Sequence, residues 1–421
     1  MIVSVRKSHL SGNIKIPASK SISQRVAVCA LLNNGQTAIL NYGNSEDEKN
    51  TLAAVKTLGA NVFFENESLI INSTGGINFQ GILNAGESGL GLRLLVPVSA
   101  LSNNEITVST ERSLNKRDVS GFNYLKDLGV ELNYNNCLPP VTVKGPLNTN
   151  NIFLELNNSS QYLTGLITVY AFVAEKETEI IIDRIVSKPY IDISLEVLRN
   201  FGCIIKNESY KKFVVIPRSG DKRDFTYNIE GDWSSAAFIF IAGILCGNIE
   251  IGNLKLSSFQ GDKIILDLLL QLGAGIKTEG ELILIPRKKL DAFYFDATDY
   301  PDLFPPLAAL AVFCNGTSRI KGLHRLTNKE SNREKSIINV LTQLGVSVYT
   351  KDNELCITGN CSLNGAVIDS YGDHRIVMMA SLIGLAAEID LEITNAEAVS
   401  KSYPSFFEQI ISLGGNINFK L

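Results

Sequence analysis

A short segment near the amino terminus, residues 17–25 (PASKSISQR), combines serines, a lysine and an arginine directly before an apolar run. The apolar run, residues 26–32, predicts a helix. Residues 19–21 would then lie at its amino end, where free backbone amides and the helix dipole favour an anion. Lys20 and Arg25 add full positive charges there. From this segment alone, an anion site and an ordinary serine cap with two solvated basic side chains are equally acceptable interpretations.

Polar residues of this kind stand before six strongly apolar segments, each of which predicts a buried helix. The six helices are expected at residues 22–32, 90–101, 162–173, 236–246, 303–314 and 376–387. Their polar starts are residues 19–21, 87–89, 158–161, 232–235, 299–302 and 371–375. Any single start is most simply a capping motif. If all six amino ends point into one space, however, they concentrate positive potential there without a high net charge.

The elements that would position these helix starts form a sixfold repeat. A helix-like segment ends in Leu-Gly or Phe-Gly six times, with glycine spacings of 70, 73, 71, 72 and 69 residues, at Gly59, Gly129, Gly202, Gly273, Gly345 and Gly414. Glycine there is typical of a helix that ends in a left-handed residue. Five of these glycines precede a pair of short alternating segments that predict a β-hairpin. The sixth precedes one strand only, residues 416–419, and residues 2–5 can supply its partner.

Six such repeats exceed one ordinary core, so three repeats per domain is the natural division. The expected fold class is α/β, built from α+β repeats: two domains, each of three βαβαββ units related by pseudo-threefold symmetry. Because the two ends of the chain pair, residues 1–18 and 231–421 would form a discontinuous domain. Residues 19–230 would form an inserted domain. A hinge, with a cleft between the two domains, is expected from this arrangement.

Composition limits the classes of partner. The chain has 421 residues, with Lys+Arg 39, Asp+Glu 43 and a net charge of −4, so there is no overall basic field for nucleic acid. Seven scattered cysteines without a Cys-x-x-Cys pair, and three histidines, argue against a zinc site and fit reduced thiols in the cytoplasm. The longest apolar run, residues 236–246, is too short to cross a bilayer. The alternating residues 1–10 predict a strand and not a signal segment.

Several motifs resemble, in order and spacing, those of the 5-enolpyruvylshikimate-3-phosphate (EPSP) synthase family. They are residues 19–25 (SKSISQR), 159–164 (SSQYLT), 187–193 (SKPYIDI), 230–235 (EGDWSS), 260–262 (QGD), 301–302 (PD), 329–333 (KESNR), 373–375 (DHR) and 401–404 (KSYP). Each motif alone is weak, but the set extends from end to end and is specific. The resemblance implies the enolpyruvyl transferase fold, two domains of three βαβαββ units with the site between them, which agrees with the repeat pattern.

The resemblance also implies a reaction: transfer of the carboxyvinyl group of phosphoenolpyruvate (PEP) to the 5-hydroxyl of shikimate 3-phosphate, with release of phosphate, towards chorismate and the aromatic amino acids. It implies no metal and no organic cofactor. Carried over motif by motif, the shikimate 3-phosphate site would contain Lys20, Ser21, Arg25, Ser159, Ser160, Gln161, Ser187, Tyr190, Asp302 and Lys329. The PEP site would contain Lys20, Gly89, Arg117, Gln161, Arg333, Arg375 and Lys401.

The chemistry of this reaction suits these residue types. Both substrates carry a phosphate and a carboxylate, so cations and helix amides must offset about four to six negative charges. The addition needs a base near the 5-hydroxyl, for which Asp302 is suited, and an acid near the vinyl carbon, for which Glu330 is suited. Lys20 and Lys401 would be further catalytic groups; the second would hold a substrate anion or protonate the leaving phosphate. From the residues alone, Asp302 fits a capping aspartate equally well, and residues 329–333 fit a solvated helix face.

A few positions depart from the family's motifs. Glu87 and Leu90 flank Gly89 where the family often has Asn and Thr. Arg325 stands where the family often has an asparagine for the phosphate of shikimate 3-phosphate, and Ser113 replaces a basic residue. Because the apolar Leu90 would tighten the PEP pocket, we expect reduced sensitivity to glyphosate, which occupies that pocket in the family.

Two other functions remain as alternatives. UDP-N-acetylglucosamine carboxyvinyltransferases share the fold and the donor, but they lack the motifs at residues 159–161 and 187–190, and Cys137 does not match the setting of their reactive cysteine. A non-catalytic paralogue that binds phosphorylated metabolites would need anion contacts but neither an acid nor a base. We expect a monomer in the cytoplasm whose partners are the small molecules PEP and shikimate 3-phosphate, without nucleic acid or membrane.

Overall fold

The computed structural model describes residues 1–156, 159–218, 223–327 and 329–420. The chain forms two compact units: unit 1 contains Met1–Pro17 and Glu230–Leu421, and unit 2 contains Ala18–Ile229. The sequence predicts chain crossings after residues 18 and 230, and in the structure each crossing lies one residue earlier. Local bonds account for the second position, because the Ile229 amide donates to a carbonyl of unit 2 whereas the Glu230 side chain accepts from Gln260 of unit 1 (2.7 Å).

The described residues form 24 strands. They are β1 (Ile2–Arg6), β2 (Leu10–Lys15), β3 (Asn34–Leu40), β4 (Asn61–Glu65), β5 (Ser68–Thr74), β6 (Gly81–Asn84), β7 (Ile106–Ser109), β8 (Glu131–Asn135), β9 (Leu138–Lys144), β10 (Ile152–Leu154), β11 (Thr178–Ile182), β12 (Ile204–Glu208), β13 (Lys212–Ile216), β14 (Phe225–Asn228), β15 (Gly247–Gly252), β16 (Lys277–Glu279), β17 (Leu282–Ile285), β18 (Tyr294–Asp296), β19 (Thr317–Lys321), β20 (Ser347–Lys351), β21 (Glu354–Thr358), β22 (Ala366–Asp369), β23 (Leu391–Thr394) and β24 (Asn416–Lys420).

The same described residues form 12 α-helices. They are α1 (Lys20–Leu32), α2 (Glu46–Thr57), α3 (Gly89–Ser99), α4 (Tyr124–Asp127), α5 (Gln161–Val173), α6 (Lys188–Asn200), α7 (Trp233–Cys246), α8 (Ile264–Gln271), α9 (Phe304–Phe313), α10 (Arg333–Gln343), α11 (His374–Ala386) and α12 (Phe406–Ser412). Short 3₁₀ helices lie at Arg112–Lys116, Ser120–Phe122, Gly261–Lys263, Pro301–Leu303, Leu323–Arg325 and Ala396–Lys401.

The described strands make six four-stranded sheets that share one plan: a parallel edge pair followed by two antiparallel pairs. The orders in unit 1 are β22-β23-β1-β24, β16-β17-β15-β2 and β18-β19-β21-β20. The orders in unit 2 are β10-β11-β13-β12, β14-β3-β5-β4 and β6-β7-β9-β8. The hairpins that the sequence predicts after five glycines are confirmed as the antiparallel pairs β4–β5, β8–β9, β12–β13, β16–β17 and β20–β21.

The two ends of the chain meet in one sheet of unit 1. Strand β1 lies between β23 and β24, with Val3 opposite Phe419 and Val5 opposite Ile417. The prediction that residues 2–5 supply the missing partner of the last strand is confirmed. The side chains of Val3 and Val5 are fully buried, so this register places the apolar face of β1 in the core.

Each unit is built around three apolar helices, α7, α9 and α11 in unit 1 and α1, α3 and α5 in unit 2, which pack against one another. They correspond to the six predicted buried helices. Helix α7 contains no charged residue and is buried nearly all round, because sheets and the other two helices cover its surface. The repeat glycines end the preceding helices with positive φ, from 73° at Gly273 to 115° at Gly59, as the sequence predicts.

Close packing of α3 against α5 requires glycine at position 165. A methyl group on Gly165 would lie 2.0 Å from the Arg93 carbonyl oxygen and 3.0 Å from Pro97 Cγ. We therefore predict that Gly165→Ala separates the two helices and destabilises unit 2 by about 2–3 kcal/mol. Calorimetric melting checks this. The control is Gly76→Ala, where the added methyl would meet only Thr74 Oγ1 at 3.8 Å and should leave the melting temperature unchanged. Equal melting temperatures of both variants would contradict the packing argument.

Candidate active site

In unit 2, Lys20 is the first residue of α1 and pairs with a carboxylate of the next helix. Its Nζ lies 2.9 Å from Asp47 Oδ2, and 18% of the Lys20 side chain is exposed. Ser19 stands at the N-cap position but forms no side-chain cap bond, so the first amides of α1 are not taken by that hydroxyl. Lys20 therefore lies at a helix amino end, held by Asp47, where an anion is favoured.

Arg25 connects its own helix, α1, to α6. It is buried, and it donates from Nε to Ser194 Oγ (2.8 Å), from NH1 to the Ser21 carbonyl (2.8 Å) and from NH2 to the Tyr190 carbonyl (3.0 Å). Burial lowers the pKa of Arg25 to about 10. These bonds join α1 to α6, whose N-cap Ser187 is buried and has a left-handed φ of 55°. The guanidinium thus holds the segment that carries Ser187 and Tyr190 against α1.

Gln24 connects the starts of three helices of unit 2. Its Nε2 lies within hydrogen-bond distance of the Asp47 carbonyl (3.2 Å), Thr51 Oγ1 (2.7 Å) and Ser88 Oγ (2.8 Å). Ser88 in turn caps α3 by accepting from the Gly91 amide (3.0 Å). The sequence did not predict that Gln24, Asp47 and Thr51 link these helix starts. The available signal was a polar glutamine directly before the apolar part of α1.

Gly89, the first residue of α3, lies beside three functional groups, two from other elements and one from α3 itself. A methyl group placed on it would lie 3.5 Å from Arg117 NH1, 3.5 Å from Gln161 Oε1 and 3.7 Å from Arg93 NH1. The Arg93 guanidinium also lies over the ring of Tyr162, 5.1 Å from its centre. Three of the residues predicted for the PEP site, Gly89, Arg117 and Gln161, are therefore brought together within unit 2.

The serines that precede α5 occupy its amino end. Ser160 is the buried N-cap residue, and Ser159 Oγ accepts from the Gln161 amide at 3.4 Å. The predicted start of this helix also included residue 158, which lies outside the described residues.

In unit 1, a single arginine binds three carboxylates. Arg333, the first residue of α10, is completely buried. Its NH1 lies 2.9 Å from Asp302 Oδ1, its NH2 2.6 Å from Glu330 Oε2 and its Nε 3.0 Å from Asp373 Oδ2. Although burial disfavours its charge, the attraction of Asp373, Glu330 and Asp302 is stronger and raises the pKa of Arg333. The guanidinium is therefore a permanent cation at the centre of this cluster.

Asp302 lies between three cations. Besides Arg333, Arg375 NH2 contacts its Oδ2 (3.2 Å) and Lys329 Nζ contacts its Oδ1 (3.4 Å). Burial acts to raise the pKa of Asp302, but Arg375, Lys329 and Arg333 outweigh it and hold that pKa well below the usual range. Lys401 Nζ lies 3.4 Å from Glu330 Oε1 on the other side of the cluster. The predicted residues of unit 1 are thus brought together, and Asp302 is ionised.

Asp262 is a further buried carboxyl beside this cluster, and the sequence motifs imply no role for it. Its Oδ2 accepts a hydrogen bond from Ser234 in the first turn of α7, whereas its buried Oδ1 has no hydrogen-bond partner among the described residues. Burial, and after it the charge of Asp302, raise the pKa of Asp262 to about 7, with Arg375 and Ser234 acting in the opposite direction. Near neutral pH this carboxyl is therefore partly protonated.

A family model of EPSP synthase (3-phosphoshikimate 1-carboxyvinyltransferase) matches residues 5–410. The chain belongs to the EPSP synthase family. Curated relatives with the name 3-phosphoshikimate 1-carboxyvinyltransferase include one from Clostridium perfringens (strain ATCC 13124), 34% identical with 98% of each chain covered. Another, from Clostridium novyi (strain NT), is 32% identical with 99% of this chain and 98% of the relative covered.

Solved structures agree with the family assignment at the level of the fold. The EPSP synthase from Acinetobacter baumannii has a TM-score of 0.85 at 23% identity, with 100% of both chains covered. The enolpyruvyl transferase NikO from Streptomyces tendae has a TM-score of 0.78 at 16% identity, with 99% and 98% covered. The predicted two-domain enolpyruvyl transferase fold is confirmed.

In the described ranges, no helix is long and apolar enough to cross a membrane. The same ranges contain no group of three or more His, Cys, Asp or Glu side chains placed to hold a metal ion. Leu90 is buried in the first turn of α3, and Arg325 ends a 3₁₀ helix. Two expectations from the sequence stay predictions: reduced sensitivity to glyphosate, and the convergence of all six helix starts on one space.

The raised pKa of Asp262 leads to a prediction about stability. An unfolded aspartate ionises near pH 4, whereas the native carboxyl keeps its proton to about pH 7, so the wild type loses stability as the pH rises between these values. Asp262→Asn is neutral throughout. We predict that its melting temperature, relative to the wild type, rises by about 5 °C between pH 4.5 and pH 8. Asp267→Asn, an exposed position of α8, is the control, and a pH-independent difference for Asp262→Asn would contradict the assignment.

Proposed function

We propose that this chain transfers the carboxyvinyl group of PEP to the 5-hydroxyl of shikimate 3-phosphate and releases phosphate. The single observation that carries the proposal is the Asp302 carboxylate, held ionised between Arg333, Arg375 and Lys329 in a chain that matches the EPSP synthase family over residues 5–410. A module that only binds phosphorylated metabolites needs cations. It does not need a buried carboxylate placed among them, and no observation favours that alternative.

We propose the substrate contacts that the resemblance to the EPSP synthase family implies. For shikimate 3-phosphate we propose Lys20, Ser21, Arg25, Ser159, Ser160, Gln161, Ser187 and Tyr190 of unit 2 with Asp302 and Lys329 of unit 1. For PEP we propose Lys20, Gly89, Arg117 and Gln161 of unit 2 with Arg333, Arg375 and Lys401 of unit 1. In this assignment the Arg25 contribution comes through Ser21 and Tyr190, whose carbonyls it binds.

The proposed base is Asp302. In the substrate-free protein its pKa is too low for an effective base because Arg375, Lys329 and Arg333 stabilise its negative charge. Phosphate and carboxylate groups of the substrates would share these same cations. The stabilisation of Asp302 then weakens, its pKa rises, and it accepts the 5-hydroxyl proton as the oxygen attacks C2 of PEP. Activation of the base would therefore be coupled to the presence of anionic substrates.

The proposed acid is Glu330, which would add a proton to C3 of PEP as the new C–O bond forms at C2. The resulting tetrahedral intermediate carries the phosphate that must leave. Lys401, whose Nζ lies 3.4 Å from Glu330 Oε1, would hold that phosphate or give it a proton. Glu330 would take the C3 proton back as the vinyl double bond re-forms. Arg333 contacts both Asp302 and Glu330 and thereby fixes their separation.

The experiment that tests this function is a phosphate-release assay with purified protein, PEP and shikimate 3-phosphate, with product confirmed by mass spectrometry. We expect release that requires both substrates. Release with UDP-N-acetylglucosamine in place of shikimate 3-phosphate would establish the alternative transferase, and binding without release would establish the non-catalytic alternative. We further propose that the protein is a monomer that acts in the cytoplasm and binds neither nucleic acid nor a membrane. Sedimentation tests the monomeric state, and cell fractionation tests the location.

We predict that Asp302→Asn keeps the hydrogen-bond acceptor for Arg333 but lowers kcat by about 10²–10⁴-fold, because the amide cannot accept the 5-hydroxyl proton. Glu330→Gln should lower kcat by a similar factor. Steady-state kinetics with both substrates varied checks this, with Asp267→Asn as the exposed control. If Asp302→Asn keeps the wild-type kcat, Asp302 is not the base.

A further inference from the structure

Two loops of unit 2 meet beside Gly89, and backbone and side-chain hydrogen bonds join them. One loop precedes α3, and the other connects β7 to the 3₁₀ helix Arg112–Lys116. The Glu111 amide donates to the Gly86 carbonyl at 2.8 Å, and Asn84 Nδ2 donates to Glu111 Oε1 at 2.6 Å. The second loop therefore depends on the first for its position.

The side chain of Glu87 completes this junction. Its Oε1 accepts hydrogen bonds from the Ser113 amide (3.2 Å) and the Ser113 hydroxyl (2.9 Å), and its Oε2 lies 3.6 Å from Arg112 NH1. Only 15% of the Glu87 side chain is exposed, whereas 75% of the Arg112 side chain is exposed. The two bonds to Ser113 are therefore the stronger part of the contact, because an exposed ion pair contributes little.

Arg112 begins this 3₁₀ helix in a conformation that needs support. Its φ is 44°, in the left-handed region, which costs a residue with a Cβ of the order of 1 kcal/mol or more. Beyond its contacts with Glu87, the segment is anchored by Leu114, which is fully buried. The Glu87 bonds thus stabilise the one strained residue at the start of the 3₁₀ helix.

The 3₁₀ helix in turn determines the position of Arg117. Arg117 follows its last residue directly, and the Arg117 amide donates to the Leu114 carbonyl at 3.1 Å. From there the Arg117 side chain reaches the first turn of α3, where its NH1 would lie 3.5 Å from a methyl group on Gly89. Movement of the 3₁₀ helix would move this guanidinium away from Gly89.

We propose that Glu87 is a positioning residue, which orders the 3₁₀ helix Arg112–Lys116 through Ser113 and thereby aims Arg117 at the anionic donor substrate beside Gly89. The proposal rests on the proposed function in one respect, the identity of that donor as PEP. Glu87 and Ser113 contact each other directly, through one backbone and one side-chain donor of Ser113. Arg112 pairs with the same carboxylate, so part of the Glu87 charge is balanced.

The first test does not depend on activity. Hydrogen–deuterium exchange is measured on the full-length protein without substrates for Glu87→Ala, Glu87→Gln and Glu65→Ala, the last an exposed glutamate of β4. We expect the amides of residues 113–117 to exchange about tenfold faster in Glu87→Ala, because two hydrogen bonds to a charged acceptor are lost. Glu87→Gln keeps an oxygen acceptor and should exchange like the wild type, as should Glu65→Ala. Unchanged exchange in Glu87→Ala would overturn the proposal.

The second test is kinetic and uses the same variants with Ser113→Ala and the double variant Glu87→Ala/Ser113→Ala. Glu87→Ala should raise KM for PEP about tenfold, with KM for shikimate 3-phosphate and kcat within about twofold of the wild type. Glu87→Gln should restore KM for PEP. The double variant should be no worse than Glu87→Ala alone, because both substitutions remove the same contact.

Equal rises in both KM values, or no recovery in Glu87→Gln, would overturn the positioning role. A wild-type protein that releases no phosphate would instead defeat the proposed function. The exchange experiment would then still decide whether Glu87 orders residues 113–117.

Discussion

The buried guanidinium of Arg333 is the constraint on which the rest of unit 1 depends. A completely buried cation is tolerated only with full compensation, and removing one partner of a buried ion pair costs about 3–5 kcal/mol. Arg333 meets this demand with carboxylates from three separate elements, Asp302, Glu330 and Asp373. Asp373 also caps α11 by accepting from the Arg375 amide. One side chain therefore fixes where the starts of α9, α10 and α11 lie relative to one another.

In unit 2 the side chain that links the starts of three helices is neutral and not charged. Gln24 links the starts of α1, α2 and α3 through amide hydrogen bonds, and its neutral side chain leaves Lys20 and its partner Asp47 to set the local charge. The two units therefore differ in how their cations would meet an anionic substrate. In unit 1 the cations are already engaged by carboxylates, so an arriving anion must compete for them. That competition is what would convert Asp302 from a stabilised anion into a working base.

Much of the fold was predictable because the repeat pattern is local and regular. Glycines near the 70-residue period mark helix ends, apolar runs mark the central helices, and the lone last strand requires β1 as its partner. The charge network was not predictable, because which groups pair depends on packing between distant segments. The acidic start of α2 gives no sign that Asp47 binds Lys20, and Asp262 resembles any capping aspartate. Nor does the sequence show that the Arg25 guanidinium binds Ser194 and Tyr190 and so holds α1 to α6.

The most direct test of this account is the protonation state of Asp302 in the substrate-free protein. Carbon-13 NMR of the aspartate carboxyl carbons, with Asp302 assigned from its absence in Asp302→Asn, follows that group alone as the pH is lowered. The account predicts that Asp302 stays ionised down to about pH 4, because Arg375, Lys329 and Arg333 hold its pKa well below the ordinary value. A titration midpoint at or above about pH 4 would contradict it, since the three cations would then not govern the carboxylate.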